Sequence, residues 1–222
     1  MLLFAPWRGA RIWTVATIAG SVAIPSSSLL YLTADDTPRF LLDKGHWAGQ
    51  PWWLTTFSCH VVAASLSLLI GIPLMMPVWT RRHPAWHRLL GYAYVTAVLW
   101  MAAPTGLVLA LTATGGLLGT LGFGLASVLW WHWTWSGYRA IRRGDLRAHV
   151  AAMARSFALA LSAPAFRLIQ IALAIAPLSD EVVYLVSLWL SVAVSVMLGE
   201  ACAAHVRHPS FVPVPPLQGA PS

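Results

Sequence analysis

Charge is what this 222-residue chain has least of: Asp, Glu, Lys and Arg together make up 9%, where a soluble domain carries roughly a quarter. So little charge excludes an ordinary water-soluble domain. Cysteine is nearly absent. Cys59 and Cys202 belong to no CxxC and fall near opposite ends of two apolar segments. A disulfide needs Cα atoms within about 7 Å, so both read as small packing residues. Catalytic signatures are missing too, with no HExxH, no GxSxG and no paired external carboxylates beside a base. A hydrolase or metalloenzyme is therefore disfavoured, no catalytic residue is assigned and no metal site is expected. His46 with Asp43 offers two ligands on a loop, too few for a site. The formal charge of +7 does not imply nucleic acid, because there is no soluble basic domain to bind it.

What fills the chain instead is apolar. Hydrophobic residues reach 58%, mean hydropathy is +0.69 and there are thirteen tryptophans, a residue that favours the membrane interface. The expected fold is an all-α polytopic membrane bundle of about six transmembrane helices, at 12–33, 54–79, 88–112, 117–138, 149–176 and 182–206. Most approach the ~20 residues that cross a hydrocarbon core. The first is interrupted by Pro25 and Ser26–Ser28; with no small-x-small cleavage site after it, it reads as an uncleaved anchor. The bundle is expected to occupy 1–208 as one domain. The tail 209–222, with five prolines, reads as disordered.

Two basic knots set the topology. TRRHPAWHRLLGYAY and SGYRAIRRGDLRAHVAAMARSFAL each fall where one apolar segment gives way to the next. Arg8, Arg11, Arg81, Arg82, the Arg139–Arg147 cluster and Arg207 share one side. Asp35, Asp36, Arg39, Asp43, Lys44, Asp180 and Glu181 share the other. Clustered arginines stay in the cytoplasm, which puts both termini there. The external piece Thr33–Trp53 is expected along the outer surface, with Trp47, Trp52 and Trp53 at the headgroups. WWHWTW over Trp130–Trp135 reads as an aromatic belt at the inner interface. Gly115 and Gly119 have small-xxx-small spacing, which lets helix backbones approach closely. His83, His205 and His208 read as headgroup contacts.

Ionisable residues within the spans are the functional lead, since each is expensive in hydrocarbon and normally faces a partner or cavity. By helical rise, His132, Arg155 and Glu200 each lie about 9 Å from the inner end of their span, with Tyr92 and Tyr94 at similar depth. Arg155 and Glu200 are expected to form a buried ion pair, because opposite charges at matched depth relieve each other's desolvation. His87 and His149 share the inner boundary. His60 enters from the outer end, and Arg167 lies in the outer half with no acidic residue at its level. Candidate cofactor contacts are therefore His87, His149, His132 and Arg155 at the inner face, and His60 and Arg167 in the outer half.

HVVAASLSLLIG from His60, HPAWHRLLGYAYV, GFGLASVLW, GYRAIRRGDLRAHVAAMARSFAL and PAFRLIQ resemble domain of unknown function 2306, a group of bacterial membrane proteins, over about residues 60–170. The matching positions include His60, His87, Arg88, Gly91, Tyr94, Arg142, Gly144, His149, Met153, Arg155 and Arg167. Tyr92 and the pair Ala151–Ala152 depart from the pattern. The resemblance implies a multi-pass protein of the bacterial inner membrane with a family-like core over 54–176, and implies no activity. Three functions are expected in order. The first is a non-catalytic accessory or assembly subunit of a larger membrane complex, with lipids and other membrane subunits as partners. The second is a redox protein binding b-type haem or quinone. The third is a small-molecule or lipid transporter or binding protein.

Overall fold

Helices start here where proline or an acidic cap permits. Pro51, Pro77 and Pro84 each occupy a first helical turn, where a fixed φ and a missing N–H cost nothing. In a computed structural model, which describes residues 44–207, they open α1 (Pro51–Leu74), the short α2 (Pro77–Arg82) and α3 (Pro84–Thr96). A 3₁₀ turn over Gly45–Gly49 precedes α1, and a π-helical turn over Ala97–Ala102 carries α3 into α4 (Ala103–Ala110). The turn into α5 (Gly116–Arg142) needs φ of +83° at Gly115, a conformation that favours glycine. Asp145 caps α6 (Leu146–Ala160), its carboxylate accepting the Ala148 N–H at 2.9 Å. Without a loop, α6 passes at Leu161 into α7 (Ser162–Leu173), and α8 (Asp180–Arg207) follows. No strand occurs among the described residues.

Among the described residues four helices are long and apolar enough to cross a membrane: Pro51–Leu74, Pro84–Ala110, Leu146–Leu173 and Asp180–Val206. The expected span at 117–138 falls within α5. At 27 residues, α5 is about 40 Å long, yet His132, Arg139 and Arg142 make it less apolar than the other four. The expected span at 12–33 and the tail at 209–222 lie outside the described residues.

Short turns make sequential helices antiparallel, so α3 and α6 run in the same direction and α1, α5 and α8 run against them. α6 is the axis of the bundle, packed closely against both α5 and α8. Its run Ala151–Ala160 is buried apart from Ala154, as expected for a helix enclosed on all sides. Its small residues permit that approach. Gly137 of α5 faces Met153, and Gly199 of α8 lies against the Arg155 backbone. Phe157 packs into the space left by Gly71 of α1. By contrast, α3 rests on α1 and the π-helical turn, and its backbone does not pack along α6.

The aromatic belts are only partly belts. Trp47 and Trp52 are exposed, but Trp53 is 1% exposed, and its indole N–H donates to Thr112 Oγ1 at 2.9 Å. This corrects its expected place at the headgroups: a hydroxyl in the turn before α5 satisfies the indole inside the bundle. Within Trp130–Trp135, Trp131 and Trp135 face outward while Trp130 is buried. Lys44 donates to the Thr112 carbonyl at 2.8 Å, tying the start of the described chain to the same turn.

Candidate functional site

A buried polar chain fixes how α3, α5 and α6 meet. Tyr94 Oη lies 2.9 Å from Ser156 Oγ, Trp130 Nε1–H donates to Tyr94 Oη at 3.3 Å, and Thr134 Oγ1 lies 2.7 Å from Ser156 Oγ. All four residues are buried. In a membrane core such groups must find partners within the protein, so these contacts set the register of three helices. Sequence reading singled out Tyr94 but not Ser156, Thr134 or the role of Trp130. Tyr92, on the other face of α3, is exposed.

That register carries two imidazoles to one level. His87 precedes Tyr94 by seven residues and His149 precedes Ser156 by seven, which is two turns on the same helix face. Because α3 and α6 run parallel, the Tyr94–Ser156 bond sets His87 and His149 at equal height, about 10 Å nearer the end of the bundle where both helices start. They are close enough for their charges to interact. His149 Nδ1–H donates to the Gly137 carbonyl at 2.9 Å, and His87 Nδ1 lies 3.2 Å from Thr80 Oγ1. The carbonyl bond puts the His149 proton on Nδ1 and leaves a lone pair on Nε2, the arrangement of a ligating histidine oriented by its second nitrogen. Gly91, on the same face of α3 between His87 and Tyr94, has nothing within 4 Å of where a Cβ would sit. A side chain added at Gly91 would thus meet no neighbour.

Arg155 belongs to a different face. It lies six residues beyond His149, about 240° around α6 at 100° per residue. Its Nε and Nη2 donate to the Glu200 carboxylate at 2.7 and 2.6 Å, and its guanidinium lies 4.5 Å from the Trp133 ring centroid. The side chains are 6% and 51% exposed respectively, so only the arginine end of the pair is buried. His132 is not brought to the inner polar groups. It lies two residues from Thr134, about 200° away on α5, and is exposed, edge-on to Trp133. Depth alone had grouped it with them; helical phase separates it.

The outer-half candidates are also apart. His60 Nδ1–H donates to the Ala102 carbonyl at 2.8 Å, at the end of the π-helical turn, and Thr105 Oγ1 is 3.3 Å away. Arg167 donates to Gln170 Oε1 at 3.2 Å and lies 5.6 Å from the Phe166 ring, in a cluster with Phe123 and Tyr184. No hydrogen bond or ion pair joins His60 to Arg167. His46 Nε2 is 3.4 Å from the Gln50 amide, while Asp43 lies outside the described residues. Among the described residues no three His, Cys, Asp or Glu side chains gather as metal ligands.

Membrane-length apolar helices around buried hydroxyls and imidazoles define an integral membrane helical bundle. The family model "Predicted membrane protein (DUF2306)" matches residues 57–203, and the chain belongs to that family. The match extends past the 60–170 resemblance to take in most of α8. No curated protein and no solved structure matches the chain.

Proposed function

We propose that the protein is a membrane redox carrier that holds a b-type haem between His87 and His149. The observation that carries this reading is the pair itself: two imidazoles at one height on parallel helices, over the open space at Gly91. Bis-histidine ligation needs that arrangement, and the Nδ1 bond of His149 leaves Nε2 as its ligating atom. Haem would supply one-electron transfer; the chain's own residues bind it, orient it and keep it apart from water. Tyr94 and Ser156 would close the slot from above. His60, bonded to Ala102 without a second imidazole, gives no basis for another haem in the outer half.

The reading includes six spans in the bacterial inner membrane with both termini cytoplasmic. Support comes from the arginines at the inner helix ends against Asp180 and Glu181 at the outer start of α8. The accessory-subunit role expected from the sequence gains no residue of its own from the geometry. It is what remains if the protein is colourless.

The test is a reduced-minus-oxidised visible spectrum of detergent-purified protein from haem-replete cells, with pyridine haemochrome analysis of the same sample. About one b-type haem per chain is expected, lost in both His87→Ala and His149→Ala, with helix content and elution volume unchanged. A well-folded colourless protein would overturn the proposal, as would full haem content in either variant.

A further inference from the structure

The two imidazoles of the pair are held by unlike partners. His149 Nδ1 meets the Gly137 carbonyl at 2.9 Å. A carbonyl only accepts, so the proton of that ring is fixed on Nδ1. His87 Nδ1 meets a hydroxyl instead, Thr80 Oγ1 at 3.2 Å, and a hydroxyl can either donate or accept. When Thr80 donates, the His87 proton sits on Nε2, which then has no lone pair to offer. When Thr80 accepts, the proton sits on Nδ1 and Nε2 is free to ligate.

The backbone holds the two side chains in this relation. Thr80 lies in α2, and His87 lies in the first turn of α3 after the corner at His83 and Pro84. The Thr80 N–H donates to the Met76 carbonyl at 3.0 Å, the His83 N–H to the Trp79 carbonyl at 2.9 Å and the His87 N–H to the His83 carbonyl at 2.9 Å. The corner is thus hydrogen-bonded from one helix into the next. Thr80 and His87 are both half-buried.

We infer, resting on the haem reading of the pair, that Thr80 is the positioning residue of His87. It orients the ring and, as acceptor of Nδ1–H, commits Nε2 to the iron. An acceptor at the second ring nitrogen makes a ligating histidine more basic, which favours the oxidised state of a bound haem and lowers its potential. Removing the acceptor therefore raises the potential.

The test is a spectroscopic redox titration of detergent-purified protein, comparing Thr80→Val with Thr80→Ser. Valine keeps the shape of threonine without the hydroxyl; serine keeps the hydroxyl. At the wild-type midpoint Thr80→Val is expected to hold about threefold or more reduced over oxidised haem, the ratio for one neutral hydrogen bond. That is an upward shift of about 30 mV for a one-electron couple. Thr80→Ser should stay within about 1.5-fold of wild type, since its bond is retained. Loss of haem from Thr80→Val at unchanged helix content, with haem kept by Thr80→Ser, would also support the assignment. An unchanged or lowered potential in Thr80→Val would overturn it, as would haem loss from both variants. These outcomes leave the histidine pair standing, whereas a colourless wild-type protein removes the haem reading itself and this role of Thr80 with it.

Discussion

Removing one partner of the Arg155–Glu200 pair should have unequal consequences depending on which is removed. Glu200→Gln leaves a guanidinium whose side chain is 6% exposed with a neutral amide in place of a bidentate carboxylate. Breaking a buried pair this way costs about 3–5 kcal/mol. Trp133 still faces the cation at 4.5 Å, an interaction worth about 1–2 kcal/mol when desolvated, so the lower end, about 3 kcal/mol, is expected. Arg155→Met leaves Glu200 instead, and that carboxylate is 51% exposed. The loss is then close to that of an exposed pair, about 0–1 kcal/mol, plus about 1 kcal/mol for the lost ring contact. Met refills much of the arginine stem's volume against Gly199 and Ala158. The double variant Arg155→Met/Glu200→Leu should be no worse than Arg155→Met alone, because no charge is left behind. The assay is reversible unfolding of purified protein in mixed micelles, followed by tryptophan fluorescence. The order Glu200→Gln worst, Arg155→Met milder and double variant no worse is the result expected. Arg155→Met proving as damaging as Glu200→Gln would refute the reasoning, because it would mean that the asymmetry of burial does not govern the pair.

Glycine substitutions should separate packed positions from the open slot. At Gly71 a Cβ runs into the ring of buried Phe157, so Gly71→Ala should lose about 1–3 kcal/mol in the same unfolding assay. Gly91→Ala meets nothing and should stay within about 0.5 kcal/mol of wild type. Gly91→Leu, which fills the slot above His87, should keep the fold and lose the haem spectrum. For topology, Ser179→Cys and Arg82→Cys are each placed in a Cys59→Ala/Cys202→Ala background. An impermeant maleimide applied to right-side-out spheroplasts should label the first at once and the second only after permeabilisation; the reverse pattern would invert the bundle.

Hydropathy places helices along the chain because it sums over ~20 residues; of the five expected spans that fall within residues 44–207, four coincide with a helix or a pair of fused helices, while 54–79 runs past Leu74 across a break into α2. The ends shift by a few residues for local reasons that hydropathy averages away. Pro51 and Pro84 can occupy a first turn, and Asp145 caps the turn before Leu146. Helix phase is harder to read in a membrane, since lipid-facing and core-facing residues are both apolar and no amphipathic stripe marks the inside. His132 shows the consequence: its depth suggested a shared polar layer, but Trp130, Thr134 and Gly137, at i, i+4 and i+7, mark the buried face of α5, and His132 is out of phase with them. The same arithmetic was available for the histidine pair. The seven-residue separations His87–Tyr94 and His149–Ser156 each put two polar groups on one helix face, which is costly in lipid unless the faces meet. The π-helical turn over Ala97–Ala102 does have a sequence signal, since Pro104 has no N–H to donate to the Trp100 carbonyl four residues back and so disrupts the α-helical ladder there. Phase also divides the inner layer in two. His149 bonds the Gly137 carbonyl of α5 and Ser156 bonds Tyr94 of α3 and Thr134 of α5, while Arg155, about 240° around α6 from His149, bonds Glu200 of α8. His149→Ala should therefore change the spectrum without changing the Glu200→Gln stability loss read by the unfolding assay, since residues on separate faces with no shared partner act additively.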